Sequence, residues 1–496
     1  MKRIKIIFLL VSLLIFTGVF AQSQQDTVYL TLENALELAR SQSADALNAK
    51  HRFRANYWRY RSFKADYLPS LTFDATLPDF RQYYETIVVT GEPNQYQYST
   101  YMGNNIGLSL NQKVGLTGGT VFLRSELGRD DNKVYDSLLI NYRSTPIVIG
   151  YRQPIFQFNE YRWDRKLEPL KYEKAKRQYL EDLEQVSVST VDKFFNLLQA
   201  QIEISIARKN LNGYDTMYQL AKGRYQLGKI AENDLLMLEL SYLRAKSQVD
   251  RANLDYENQL FNLKSFLRIK NSKEIKLIPP TQTWHGEISP AEALAQAKKN
   301  TSTFLEFQER QLTAESDVRQ AKMDGRFDAD LYLEYGLQQN TTDISTVYEN
   351  PQEKQAVNLG FTMPILDWGR ARGQIKMAES MYELVQTSVE QENIDAEQNV
   401  FLRVMEFNMQ KDQLYIAAKS DTVAQKRYDV TRKRYMIGQP INILDLNDAQ
   451  IANDNEKKGY YSALQLYWRN YFELRKMTLY DFMDNKMLIF DVRDVL

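Results

Sequence analysis

The stretch Arg434–Ala449, RYMIGQPINILDLNDA, ends one helical run at a glycine and opens another. Gly438 stands where a helix C′ glycine is expected, after Arg434 and Tyr435. Asp445 and Asp448 follow three residues apart, hence on one helix face. A twin of this turn lies 210 residues upstream, RYQLGKIAENDLL, with Arg224, Tyr225 and Gly228 in the matching places. Only the later copy carries Asp445 and Asp448 together, the earlier one lacking an equivalent of Asp448.

The register extends outward from the two turns. Val191, Phe194, Phe195, Leu198 and Ile202 fall at i, i+3, i+4, i+7 and i+11, one helical face. Phe401, Val404 and Met405 repeat the first three positions 210 residues on. Ile147, Ile149 and Tyr151 alternate as in a strand and match Val357, Leu359 and Phe361, with Gly150 matching Gly360. Pro154 and Pro364 are expected to stop both strands. A second register, offset by 258, relates the helix starts at Thr31 and Ser289. It also relates the strand Leu71, Phe73, Ala75, Leu77 to Leu331, Leu333, Tyr335, Leu337. These registers predict an internal duplication of helix, strand, strand, long helix, turn and helix.

The first repeat is expected over 22–285, with helices in 31–67, strands within 70–153 and a long helical hairpin over 159–268. The second is expected over 286–496, with helices in 289–325, strands within 329–363, a hairpin over 367–480 and a C-terminal tail. The two offsets differ, so the first repeat holds extra material within 78–145. It reads as an external loop or an added hairpin, with strand-like runs at 106–110 and 120–124 around Gly118-Gly119.

Composition narrows the setting. Lys2, Arg3 and Lys5 precede an apolar run, Ile6–Phe20, and Ala21 offers a cleavage site, so 1–21 reads as a signal peptide. Its removal leaves a formal charge of −3, against a nucleic-acid partner. Cysteine is absent, so no disulfide contributes. No later run of about 18 apolar residues exists, so a membrane span has to be a β-barrel. About four clear strands cannot close one alone, because about eight is the smallest single-chain number. Several copies sharing one barrel would close it.

At this point the layout resembles the TolC-like outer-membrane efflux family. The residues that carry the resemblance are Gly360–Arg370 (GFTMPILDWGR), Arg434–Gly438 (RYMIG) and Ile443–Ala449 (ILDLNDA), with their first-half counterparts. The first half departs at Gln157-Phe158-Asn159-Glu160, which replaces Asp367-Trp368-Gly369-Arg370. The resemblance implies a mixed α and transmembrane β fold, a homotrimeric channel-tunnel with a shared β-barrel, about four strands per protomer, and a long α-helical periplasmic barrel. It implies residence in the outer membrane and export of small molecules or proteins. A periplasmic adaptor and an inner-membrane pump would be the partners.

It also assigns positions. Asp445 and Asp448 would line the closed periplasmic aperture, where threefold symmetry makes six carboxylates from two. Arg224, Tyr225, Gly228, Arg434, Tyr435 and Gly438 would mark the adaptor-contacting tips. Pro154, Pro364 and Trp368 would form the strand-to-helix junctions, with Trp368 packed or serving as an interfacial anchor. Arg152 and Asp74 would face the lumen. Enzyme chemistry finds no support. His51 and His285 are the only histidines and neither has metal-ligand company, so no metal or cofactor is expected. The rival reading is a periplasmic or surface coiled-coil scaffold.

Overall fold

The computed structural model describes residues 28–87, 95–134, 137–270, 275–284, 286–437, 439 and 442–496. The expected signal segment 1–21, His285 and Gly438 lie outside them. Among the described residues no helix is long and apolar enough to cross a membrane.

Strand β1 (Val28–Thr31) leads into α1 (Leu32–Gln42). Thr31 caps that helix, its hydroxyl accepting the Asn34 amide at 3.2 Å. Helix α2 (Ala44–Ala65) follows, then strands β2 (Ser70–Ile87), β3 (Gln95–Val114), β4 (Gly119–Val134) and β5 (Ser137–Ile155). Two helices succeed them, α3 (Glu160–Gln226) and α4 (Glu232–Phe266). The second half runs β6 (Ile275–Ile278), α5 (Pro290–Asn300), α6 (Ser302–Asp324), β7 (Asp328–Thr341), β8 (Gln352–Thr362), α7 (Arg370–Met436) and α8 (Ile443–Thr478). Short strands β9 (Tyr480–Asp481) and β10 (Lys486–Met487) and a last helical turn, α9 (Val492–Val495), complete it. Helices α3 and α7 each have 67 residues, about 100 Å at ~1.5 Å per residue.

The chain divides into two compact units, and neither is a sequence half. One gathers the described residues within 1–50, 180–297 and 399–490, the other those within 51–179, 298–398 and 491–496. Each long helix contributes to both, so each unit draws on both halves of the chain.

In the second of these units a single antiparallel sheet has the order β2-β3-β4-β5-β7-β8. It has six strands where about four were expected. The described residues of the excess material within 78–145 are mostly sheet: Ile106, Leu108 and Leu110 alternate with small or polar residues, and Gly118, at a φ of 80°, turns β3 into β4. An apolar row crosses the sheet through Leu71, Leu110, Leu123, Ile149 and Tyr335, each opposite the next. All five side chains are exposed in the single chain.

The other face carries paired charges. Arg152 meets Asp330 at 2.8 Å. Glu334 is held between Arg124 at 3.2 Å and Lys354 at 2.5 Å. Asp74 accepts from the Ser109 hydroxyl at 3.4 Å.

The strand-to-helix junctions differ from expectation in one place. Strand β5 does not stop at Pro154 but pairs it with Asp330 and runs to Ile155. The proline is tolerated because the last β4 partner, Thr120, already lies opposite Arg152, so the sheet is ending there. Trp368 takes a left-handed φ of 55° and is 89% exposed in the single chain, which fits the interfacial-anchor alternative rather than packing within one chain. Asp367 organises the turn instead, its carboxylate accepting the Gly369 and Ala371 amides at 2.9 Å each. Those amide bonds hold the carboxyl below its ordinary range. In the first half Asn159 takes the capping place and accepts the Arg162 amide at 3.1 Å. The two junctions are therefore capped by different residues, Asn159 directly before α3 and Asp367 three residues before α7.

In the other unit Val191, Phe194, Phe195 and Leu198 of α3 are buried. Their α7 counterparts split: Val404 is buried, but Phe401 and Met405 are half exposed. The segment leading to α5 is strapped down at both ends. Tyr467 accepts the Trp284 amide at 2.9 Å, and Asn408 exchanges two bonds with the Ile288 backbone at 2.9 and 3.1 Å.

Candidate functional site: the two helix turns

The α3–α4 turn is a Schellman motif. Gly228 has a φ of 67°, its amide donates to Tyr225 O at 2.8 Å, and the Lys229 amide donates to Arg224 O at 2.9 Å. At the α7–α8 turn the Gln439 amide donates to Arg434 O at 3.1 Å, the same bond 210 positions later. Gly438 itself is not among the described residues. Asn442 then caps α8, accepting the Leu444 amide at 2.9 Å. The α4 start has Ala231 at that place and no side-chain cap.

The two turns are packed together. Met217 and Ala221 of α3, Leu238 of α4, Tyr428 and Tyr435 of α7, and Ile443, Leu446 and Ala449 of α8 share one buried cluster. The Arg224 guanidinium lies 5.2 Å from the centre of the Tyr435 ring. Burial pushes the Tyr435 hydroxyl up. The matched tyrosines therefore play different parts: Tyr435 is core, whereas Tyr225 is exposed. Arg434 is exposed and donates to the Gln439 side chain at 2.9 Å. Leu227 and Ile437 project at the two turns, each more than 70% exposed.

Asp445 and Asp448 are both exposed on α8. They differ in company. Asp448 accepts from Arg427 of α7 at 2.6 Å. Asp445 has no side-chain partner among the described residues and sits in the first turn of α8, where the helix dipole favours a negative charge.

Behind them runs a polar seam that sequence reading missed. Asn210 donates to Asp454 at 2.6 Å and its oxygen accepts from Gln450. Asn453 donates to Asp454 at 3.1 Å, and Tyr214 reaches Asn447 at 3.3 Å. Burial pushes the Tyr214 hydroxyl up to about 12. The available signal was the spacing of Asn447, Gln450 and Asp454, which places amides and a carboxylate on adjoining positions of one helix side.

The arrangement offers exposed apolar tips, exposed carboxylates and a polar helix seam.

A match to the outer membrane efflux protein family covers residues 35–267 and 293–478. The chain belongs to that family, and it is an outer-membrane efflux channel with its helical part in the periplasm. The reading as a periplasmic or surface coiled-coil scaffold gives way to this one.

No curated protein sequence matches the chain. Solved structures share its fold at low identity. The CmeC outer membrane channel of Campylobacter jejuni is 15% identical, with a TM-score of 0.62 over 90% of this chain and 85% of that one. The outer membrane protein VceC of Vibrio cholerae is 13% identical, with a TM-score of 0.60 over 90% and 95%. The open state of the MtrE outer membrane channel of Neisseria gonorrhoeae is 13% identical, with a TM-score of 0.60 over 90% and 88%.

Proposed function

We propose that three copies of this internally duplicated chain close into one export duct, gated at the turns of α7 and α8. The observation that carries the closure is a pair of bare apolar stripes. On α4, Leu236, Leu240, Leu243, Leu254 and Phe261 are about half exposed or more. On α7, Met405, Met409, Ile416, Val423 and Val430 are exposed to the same degree. Both stripes keep the spacing of a coiled-coil seam, and neither is covered within one chain. Stripes on two different helices make a head-to-tail contact, and such contacts close rings. The sheet supports the same reading, because β2 and β8 are unpaired edges that lipid would not tolerate. Purification from outer membranes is expected to yield an oligomer that resists SDS until heated. Leu240→Asp with Leu254→Asp is expected to release monomers. An unheated wild-type monomer would remove the ring.

Within that ring the turns are the surface for a periplasmic adaptor. Leu227 and Ile437 are exposed apolar tips with Lys229 and Gln439 beside them. A photoreactive residue at 229 or 439 is expected to crosslink to the adaptor that co-purifies with the channel. Adducts formed only from positions in the sheet would move the docking site elsewhere. An inner-membrane pump acting through that adaptor would drive transport of small molecules or proteins.

A further inference from the structure

Among the described residues the hairpin β3–β4 has no counterpart in the second half of the chain, where β8 is the next strand after β7. We infer that this hairpin is membrane-embedded barrel wall, facing hydrocarbon on one side and the lumen on the other, so that each copy contributes six wall strands. The inference rests on the channel reading above.

Three observations support it. First, the hairpin is hydrogen-bonded on both flanks, β3 to β2 along Ser70–Ile87 and β4 to β5 along Thr120–Val134. An external flap would leave one flank free.

Second, its two faces have the chemistry of the neighbouring strands. Ile106, Leu108 and Leu110 of β3 and Val121 and Leu123 of β4 are exposed and stand on the face of Leu71 and Phe73. This apolar stretch ends at Asn104 and at Arg129, which is paired with Asp131 at 2.8 Å. Its length from Val121 to Arg129 is about 27 Å along the strand at ~3.4 Å per residue, or about 20 Å along the membrane normal at a tilt of ~40°, close to the ~25 Å apolar band of an outer-membrane barrel. Six residues past Asn104 on the same face, Tyr98 forms a T-shaped pair with Tyr84, ring centres 5.5 Å apart.

Third, the opposite face is tied across the sheet. The Ser109 side chain meets the Thr72 hydroxyl at 2.6 Å. Gly150 carries no side chain, and the Phe122 ring fills that place: a Cβ there would stand 2.1 Å from the ring. Arg124, stacked 5.7 Å from the Phe122 ring centre, reaches past β5 to Glu334 on β7 at 3.2 Å. These bonds fasten β4 to the second-half strands.

Barrel diameter grows roughly linearly with strand number. A ring of three such chains would have eighteen strands and a mouth about half again as wide as twelve strands give.

The chain has no cysteine, so single cysteines report cleanly. In membranes holding the full channel, Leu108→Cys and Leu123→Cys are expected to react with a membrane-impermeant maleimide at least roughly tenfold more slowly than Ser109→Cys and Glu126→Cys. Phe73→Cys on β2 and Leu359→Cys on β8 are the wall controls and should be as slow as the first pair. Fast labelling at 108 and 123 with slow labelling at 73 and 359 would overturn the inference and make the hairpin an aqueous loop. Fast labelling at 73 and 359 as well would instead overturn the barrel reading beneath it.

Discussion

Arg475→Ala is expected to destabilise the folded chain by about 3 kcal/mol, because it removes the cation that two buried carboxylates share and leaves Asp481 with neutral donors only. Arg475 lies 2.8 Å from Asp481 and donates to Glu184 at 3.2 Å. All three side chains are nearly buried. Arg40 closes the network, reaching Glu184 at 2.7 Å and the Ser187 hydroxyl at 2.9 Å. Asp481 also accepts from Tyr471 at 2.5 Å and from the Met483 and Asp484 amides at 3.0 and 3.1 Å, pinning the chain after Leu479 leaves α8 in a left-handed turn.

The same network fixes a pH dependence. Burial alone would push the Asp481 carboxyl up, but the Tyr471 hydroxyl, the Arg475 charge and the two amides outweigh it and hold the carboxyl below its ordinary range. A lowered folded pKa contributes stability that is present above the unfolded value of about 3.9 and is lost as pH falls through the folded one. Thermal unfolding in detergent should therefore show wild type losing stability on acidification below about pH 4, with a smaller loss in Arg475→Ala. Equal midpoints for wild type and variant at neutral pH would show that the network contributes nothing.

The second large effect is on the aperture proposed at the α7–α8 turn. Asp445→Ala with Asp448→Ala is expected to weaken block by divalent or trivalent cations in planar bilayers by at least roughly tenfold, since a ring of carboxylates is what attracts them. The two single variants should be unequal. Asp448 is already matched by Arg427 at 2.6 Å, whereas Asp445 has no side-chain partner among the described residues. Asp445→Ala should account for most of the loss, and Arg427→Ala should strengthen block by freeing Asp448. Both members of that ion pair are well exposed, so its removal should change stability little. Unchanged block in the double variant would take these carboxylates out of the pore.

The family follows from parts that sequence alone makes visible. Helical and alternating periods are local, so the faces around Phe194 and Phe73 can be read without knowing what packs on them. The turn glycine at 228 is local for the same reason: only the following few residues decide whether a helix ends in a left-handed cap. What lies across the chain was not legible. The Tyr-, Gly- and Asn-rich region 78–145 reads as an external loop or an added hairpin, and only pairing on both flanks decides that its described residues are sheet. Asp445 and Asp448 are alike in sequence, and Tyr225 and Tyr435 occupy matched places in the two turns. Their surroundings separate them, since Arg427 neutralises one carboxylate and Arg224 covers one ring. Sequence by itself determined the helices, the alternating strands and the two turns, all set by neighbours within a few residues. Tertiary structure decided the six-strand sheet, the Arg475 network and the inequality of the paired positions, because burial and charge pairing come from residues distant in the chain.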